Sequence, residues 1–324
     1  MVVSASSDWH LPTANLLLFV LQTAIVIGVY YFAPEKSWPS VTGHDSNIVP
    51  SSGATDGSGS PPSAKFTAST LEPKNPLAPP PYVFTIWMLI YTFTAMTVIT
   101  DRFYPTFSFY YTSDDPKFLR QWFQLACLAS TFWVVLELWL KWLHMATFAL
   151  IVLWSTMLPL YLFVVRHPTL RHSQAWVYYF CSEFSIRLYF GWLSADVIFS
   201  IAGVLQELHG AFFGFGVYAS LLGALLVLMF STYVHGHDPV VGLVVTWVLF
   251  GLIFKQSSYP GDTQEVFNEL RAVAVVVAPV FPVLVFIDSV RYVYTAHWQA
   301  SRILRGSNEF KSFMYETTSE YGTV

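Results

Sequence analysis

Long apolar segments that carry almost no charge constrain this chain more than any other feature. The clearest one follows the prolines at 79–81 and runs from Tyr82 to Ile99 without a charged side chain. Proline cannot continue a helix, but it suits the first turn, where backbone N–H groups have no intrahelical partner. An uncharged apolar segment of this length is typical of a membrane-spanning helix. The segment therefore predicts a transmembrane helix that begins abruptly at Tyr82.

Composition extends this prediction to the whole chain. Its residues are 54% hydrophobic and only 11% charged, whereas ordinary soluble domains carry roughly 25% charged residues. The net charge is −4, and no cluster of Lys and Arg resembles a phosphate-binding patch, so nucleic acid is not an expected partner. The predicted fold class is all-α. We expect a polytopic transmembrane helical bundle of about eight helices that is integral to a lipid bilayer.

Eight segments are apolar enough to be predicted as spans, with seven helices as the alternative if the first is only peripheral. The predicted spans are 13–32, 82–99, 122–140, 145–165, 179–205, 211–233, 240–254 and 272–290. Pro279 and Pro282 predict a kink in the eighth. Outside the spans we expect a short tail at 1–12, a flexible Ser/Pro/Gly-rich loop at 33–81 and a C-terminal tail at 291–324. The bias of Lys and Arg among the connections places both tails in the cytosol and the loop on the opposite face.

No catalytic motif is present, so the chain is not predicted to be an enzyme. The sequence lacks the G-x-S-x-G, Walker and H-E-x-x-H patterns. The loop His235-Gly236-His237-Asp238 holds two imidazoles that suit zinc or copper. Nothing in the sequence identifies a third ligand, and a short polar connection explains these residues equally well. No metal site is therefore predicted.

Ionisable residues inside the apolar segments are costly in a membrane and need an explanation. Glu183 and Arg187 are four residues apart, as are Glu137 and Lys141, so each pair can neutralise itself on one helical face. Asp196 lies well inside the fifth span and has no opposite charge at helical spacing. It either lines a cavity, or it is protonated or hydrogen-bonded to one neighbour and only tightens helix packing.

Two helical stripes carry the candidate site residues. At helical spacing, the second span aligns aromatic side chains: Phe84, Trp87 and Tyr91, followed by Ala95. The fifth span aligns polar and aromatic side chains: Ser185, Tyr189, Trp192, Asp196, Ser200 and Gly203. Lipid tails disfavour such a mixed stripe, so we expect it to face the bundle interior or a cavity.

Three blocks of sequence carry a family resemblance. The first is Tyr82-Val83-Phe84, Ile86-Trp87 and Ile90-Tyr91 after the prolines; the second is Gln124-Leu125, Ser130 and Trp133; the third is Tyr189-Phe190-Gly191-Trp192-Leu193 and Ala195. In order and spacing they resemble the second, third and fifth helices of the TspO/MBR family (translocator protein and tryptophan-rich sensory protein). The resemblance implies a five-helix core with helices two to five at 82–205.

Further features are similar to a longer branch of that family. Phe84 and Trp87 are three residues apart, as in that branch, whereas compact members have a spacing of four. The segment 206–290 holds three additional predicted helices. Compact members usually carry Asn in the third and fifth helices, where this chain has Ser130 and Ser200.

The resemblance implies a pocket for a flat hydrophobic small molecule, with the protein acting as a sensor or carrier. Porphyrins and sterols are the family's known ligand classes. The cofactor that the resemblance implies is a bound porphyrin or haem-type tetrapyrrole. Compact members are often dimers, which implies a homodimer. The implied site residues are Phe84, Trp87, Tyr91, Ser130, Trp133, Tyr189, Trp192, Asp196 and Ser200. A secondary transporter that uses Asp196 as its coupling carboxylate is the alternative, and an enzyme that promotes porphyrin breakdown is a third class.

Overall fold

The computed structural model describes residues 10–32, 75–166 except 112 and 114, 178–256 except 237, 259, 261–291 and 294. Within these residues the regular secondary structure is entirely helical, which confirms the predicted all-α class. Seven of the helical segments are long and apolar enough to cross a membrane. The predicted tails and most of the predicted loop lie outside the described residues.

Eight α-helices lie within the described ranges. They are α1 (His10–Phe32), α2 (Ile86–Phe103), α3 (Pro116–Val134), α4 (Leu143–Arg166), α5 (Phe184–His209), α6 (Phe215–Gly236), α7 (Pro239–Phe254) and α8 (Asp262–Val277). α8 is interrupted at 278–279 and resumes over 280–291, so the predicted kink at Pro279 is confirmed. α8 begins at Asp262, before the predicted start at 272, because its first turns are amphipathic and not continuously apolar.

Tight and wide helical turns adjoin α2, α3 and α5. A 3-10 turn at Pro81–Thr85 precedes α2, so the abrupt helical start is present but its first turn is narrower than the α-helix predicted from Tyr82. Wide π-helical turns extend α3 over Val135–Leu140 and precede α5 over Tyr179–Glu183. Such π turns are rare and occur frequently at functional sites.

The turn between α3 and α4 overturns one predicted ion pair. Lys141 has a left-handed backbone with φ 55°, the one positive φ outside glycine among the described residues. Its side chain is exposed, and no ion pair joins it to Glu137 in this described turn. The expected pairing of Glu137 with Lys141 is wrong because it assumed α-helical spacing, which the π turn and the left-handed residue remove.

The helices share one hydrophobic core. α3 packs against α1 and α4, α4 packs against α5, and α1 also packs against α2. α7 packs against α5 and lies between α6 and α8. A Cβ atom at Gly191 of α5 would lie 3.2 Å from the Cα of Val241, so α5 and α7 approach closely at this glycine. Buried apolar residues from all eight helices form a single cluster.

α7 is a largely buried helix that is tied at both ends. Its 16 residues span about 24 Å at 1.5 Å per residue, less than the roughly 30 Å of a bilayer core. Asp238 caps its first turn and pairs with buried Arg187. At the other end Lys255 donates hydrogen bonds to carbonyl oxygens of segment 75–78. Asp238, considered above as part of a metal loop, therefore has a structural role; its neighbour His237 lies outside the described residues.

Candidate ligand-binding cavity

A cavity of about 630 Å³ lies at one end of the bundle, where α1, α3 and α5 end and α2 and α4 begin. This volume falls within the roughly 300–1,000 Å³ that small-molecule sites occupy. The lining is mostly apolar and aromatic, with a few polar groups. It consists of Val26, Asn75, Ala78, Pro79, Pro81, Phe84, Trp87, Tyr91, Trp133, Val134, Glu137, Leu138, Leu143, Asp196, Phe199, Ser200 and Gly203.

Trp87 is the centre of an aromatic wall on this cavity. Its ring stacks on Trp133 of α3, with centroids 5.7 Å apart and an interplanar angle of 25°. Tyr91 lies one turn further along α2, with its ring centroid 5.7 Å from that of Trp87. Helical spacing places Trp87 and Tyr91 on the same face of α2, and the packing of α3 adds the third ring. The wall offers broad flat faces with polar edges, which suit a planar hydrophobic molecule.

The structure brings six of the nine predicted site residues onto the cavity: Phe84, Trp87, Tyr91, Trp133, Asp196 and Ser200. The other three lie behind this lining. Trp192 is fully buried and meets Phe84 and Trp87 edge-on. Tyr189 also meets Trp87 edge-on, and the Ser130 hydroxyl accepts a 2.7 Å hydrogen bond from Gln22 Nε2. A role of any of the nine in ligand binding stays a prediction.

Two carboxyl groups from different helices face the same cavity. Asp196 comes from the mixed stripe of α5, and Glu137 comes from the π turn after α3. Asp196 is only 7% exposed, and its Oδ2 accepts no hydrogen bond from the residues that the structure describes. Glu137 was not predicted as a cavity residue, because α-helical spacing pairs this acid with Lys141. Its position inside an apolar segment was nevertheless a usable signal.

A short segment before α2 forms the rim of the cavity, which we define as residues 75–81. Its position is fixed by Lys255, whose Nζ lies 3.0 Å from Asn75 O, 3.3 Å from Pro76 O and 2.8 Å from Ala78 O. Asn75 also donates from Nδ2 to the carbonyl oxygen of Phe199 on α5. No signal in the sequence indicates this role of Lys255, because its partners are backbone atoms far away in the chain.

Buried ion pairs hold together the opposite end of the bundle. Arg120 binds both carboxylate oxygens of Asp101, at 3.0 Å from Nε and 2.8 Å from the second nitrogen, and so joins α2 to α3. Arg187 lies 3.1 Å from Glu183 and 3.2 Å from Asp238, which confirms the predicted pair of Glu183 and Arg187. The acids at this end therefore have cationic partners, whereas no Lys, Arg or His is among the described residues that line the cavity.

Comparison with known proteins gives one match. A family model described as TSPO-like protein matches residues 63–287, which is well over half of the chain. The match begins after α1 and extends into α8, so it includes the C-terminal helices beyond the five-helix core. No curated protein matches the chain, and no solved structure matches it.

Proposed function

Because this integral, multi-pass membrane protein belongs to the TSPO-like family, we propose that it binds a flat hydrophobic ligand in the aromatic cavity, as a sensor or a carrier. The ligand classes that we propose are porphyrins or related tetrapyrroles, and sterols. These are the classes that the resemblance to the TspO/MBR family implies.

The observation that carries the proposal is the wall of Trp87, Trp133 and Tyr91 on a cavity of about 630 Å³. Broad ring faces gain contact area with a planar ligand at little cost in side-chain entropy. The rings are also held in place from behind, because fully buried Trp192 supports both Phe84 and Trp87 edge-on. A preformed wall binds more tightly than one that must be ordered on binding.

The test is a titration of the purified protein in non-ionic detergent, with protoporphyrin followed by absorbance and a fluorescent sterol followed by emission. A base stacked on an aromatic ring gains about 1–3 kcal/mol, which gives a scale for one lost contact. Trp87→Ala should therefore weaken binding roughly five- to a hundredfold, and Trp87→Phe should weaken it less because a ring face remains. Trp139→Ala is the matched control. Trp139 lies in the π turn after α3, is 56% exposed and does not line the cavity. Equal affinities for the parent and a folded Trp87→Ala variant would contradict the proposal.

A secondary transporter is the second candidate, and buried Asp196 favours it because its Oδ2 has no hydrogen bond among the described residues. Alternating access would also require the opposite end to open, which means separating Arg187 of α5 from Asp238 at the start of α7. Proteoliposomes with an imposed pH gradient distinguish the two functions. Gradient-driven uptake of protoporphyrin that Asp196→Asn abolishes would support a transporter, whereas binding without gradient-driven uptake would support a sensor or carrier.

A further inference from the structure

We infer that the cavity is selective for a flat hydrophobic molecule that carries a cationic amine, with Glu137 and Asp196 as the partners of the ammonium group. This inference rests on the proposed function, a flat hydrophobic ligand in this cavity, and adds a charge preference that favours amines over anionic porphyrins such as protoporphyrin. It concerns the charge of the ligand's polar group, which the aromatic wall alone leaves open.

Two acids line the cavity. They reach the cavity from separate elements, Glu137 from the π turn at Val135–Leu140 and Asp196 from the middle of α5. Both line the same cavity, so a cationic group bound there lies in the electrostatic field of both acids.

Other buried acids in the described part of the protein have arginine partners. Asp101 is paired with Arg120, and both Glu183 and Asp238 are paired with Arg187. A buried carboxylate without a partner is destabilising. In these three cases an arginine neutralises the carboxylate. The cavity lining that the structure describes contains two acids and no Lys, Arg or His. A cationic group of a ligand in this cavity would therefore meet two carboxyl groups and no competing cation of the described lining.

The cavity lining is better suited to an organic ammonium group than to a metal ion. Ca²⁺ takes six to eight oxygen ligands and Mg²⁺ takes six, but no group of three or more His, Cys, Asp or Glu residues is assembled anywhere in the described part of the chain. The rest of the lining is mainly aliphatic and aromatic, with Trp87, Trp133 and Tyr91 beside the acids. Aromatic faces attract organic ammonium groups. The surroundings therefore favour a hydrophobic amine over a metal ion.

Three pyrene probes test the inference, because they share one flat ring system and differ in charge. They are 1-pyrenylmethylamine (cationic), 1-pyrenemethanol (neutral) and 1-pyrenecarboxylate (anionic), each titrated by fluorescence against the full-length protein in non-ionic detergent. Close charge pairs in protein interfaces couple strongly enough to change affinity by tenfold or more. We therefore expect the parent protein to bind the amine at least about tenfold more tightly than the alcohol, and the carboxylate most weakly.

The variant for this experiment is the double substitution Glu137→Gln and Asp196→Asn, which keeps side-chain size and removes both charges. We expect its affinity for the amine to fall to that for the alcohol, while its affinity for the alcohol stays that of the parent. Glu207→Gln is the matched control, because Glu207 is an exposed acid on the same helix and lies away from the cavity. It should preserve the preference for the amine.

Equal binding of the amine and the alcohol by the parent would overturn the inference without need of any variant. An equal loss of both ligands in the folded double variant would also overturn it, because the acids would then only shape the cavity. In both cases the proposed function would stand. Failure of all three pyrenes, protoporphyrin and the sterol to bind the folded parent would instead overturn the proposed function.

Discussion

Lys255→Met removes the one side chain that fixes the rim of the cavity at three points. The ammonium group of Lys255 donates to the carbonyl oxygens of Asn75, Pro76 and Ala78 at 2.8 to 3.3 Å. The side chain is only 8% exposed. Met has nearly the same length and shape, so the substitution deletes the charge and the hydrogen bonds while it keeps most of the packing.

The size of the effect follows from the burial of the three acceptors. A hydrogen bond to a charged group contributes about 1.5–3 kcal/mol to stability. The contacts with Asn75 O and Ala78 O are partly buried, so those carbonyl groups can regain water, while the contact with Pro76 O is fully buried. We therefore expect Lys255→Met to lower the free energy of unfolding by about 3 kcal/mol, less than the sum of three such bonds. Ligand affinity should fall as well, because Ala78 and Asn75 line the cavity.

Two measurements report this change. Chemical unfolding in mixed micelles gives the free energy, and the rate of maleimide labelling of an Ala78→Cys variant reports the opening of the rim, with and without Lys255→Met. Lys141→Met is the control, since Lys141 is exposed and lies at the α3–α4 turn. If Lys255→Met changed neither the unfolding free energy nor the labelling rate, the rim would not depend on this lysine.

Three further predictions concern packing, ion pairing and topology. Gly242→Ala should cost about 1–3 kcal/mol of stability by overpacking, because its Cβ would clash with the ring of Phe281. Gly216→Ala is the control in the same thermal unfolding assay and should be close to neutral, because a Cβ there would have no neighbouring atom within 4 Å. Arg120→Met should lower the free energy of unfolding by about 3–5 kcal/mol, because it leaves buried Asp101 without its cation. A loss below about 1 kcal/mol in chemical unfolding is typical of an exposed ion pair and would contradict this prediction. Glycosylation-tag mapping should find the two termini on the same side of the membrane, and opposite sides would show an odd number of crossings.

Helical periodicity predicted part of the cavity lining, and the family resemblance added Trp133. Phe84, Trp87 and Tyr91 recur at helical spacing, as do Asp196 and Ser200, and all five reach the cavity. This works because a membrane-spanning helix satisfies its own backbone hydrogen bonds, so side-chain direction follows from spacing alone. Spacing alone could not distinguish residues that line the cavity from residues that support this lining from behind. Trp192 was therefore predicted as a lining residue, whereas it lies behind the wall.

The remaining features depend on departures from regular helix and on distant contacts. Glu137 reaches the cavity from a π turn, whose wider geometry the α-helical spacing to Lys141 did not anticipate. The pairing of Arg120 with Asp101 requires knowing how α2 packs against α3. Lys255 binds backbone carbonyl groups, which leave no mark in the side-chain pattern. Such contacts are fixed by tertiary packing and not by local sequence.

The tie between Lys255 and the rim also sets the order in which the cavity can be completed during synthesis. Lys255 and Asn75 are 180 positions apart in the chain. At about 5–20 residues per second, the ribosome needs roughly 10–40 seconds to make Lys255 after Asn75 has emerged. Helices α2 to α5 are therefore made well before the lysine that secures the rim, and during this interval the rim lacks its three ammonium hydrogen bonds. A nascent chain arrested before α7 should thus have a rim that is held to α5 by the hydrogen bond from Asn75 to Phe199 but is not yet secured by Lys255.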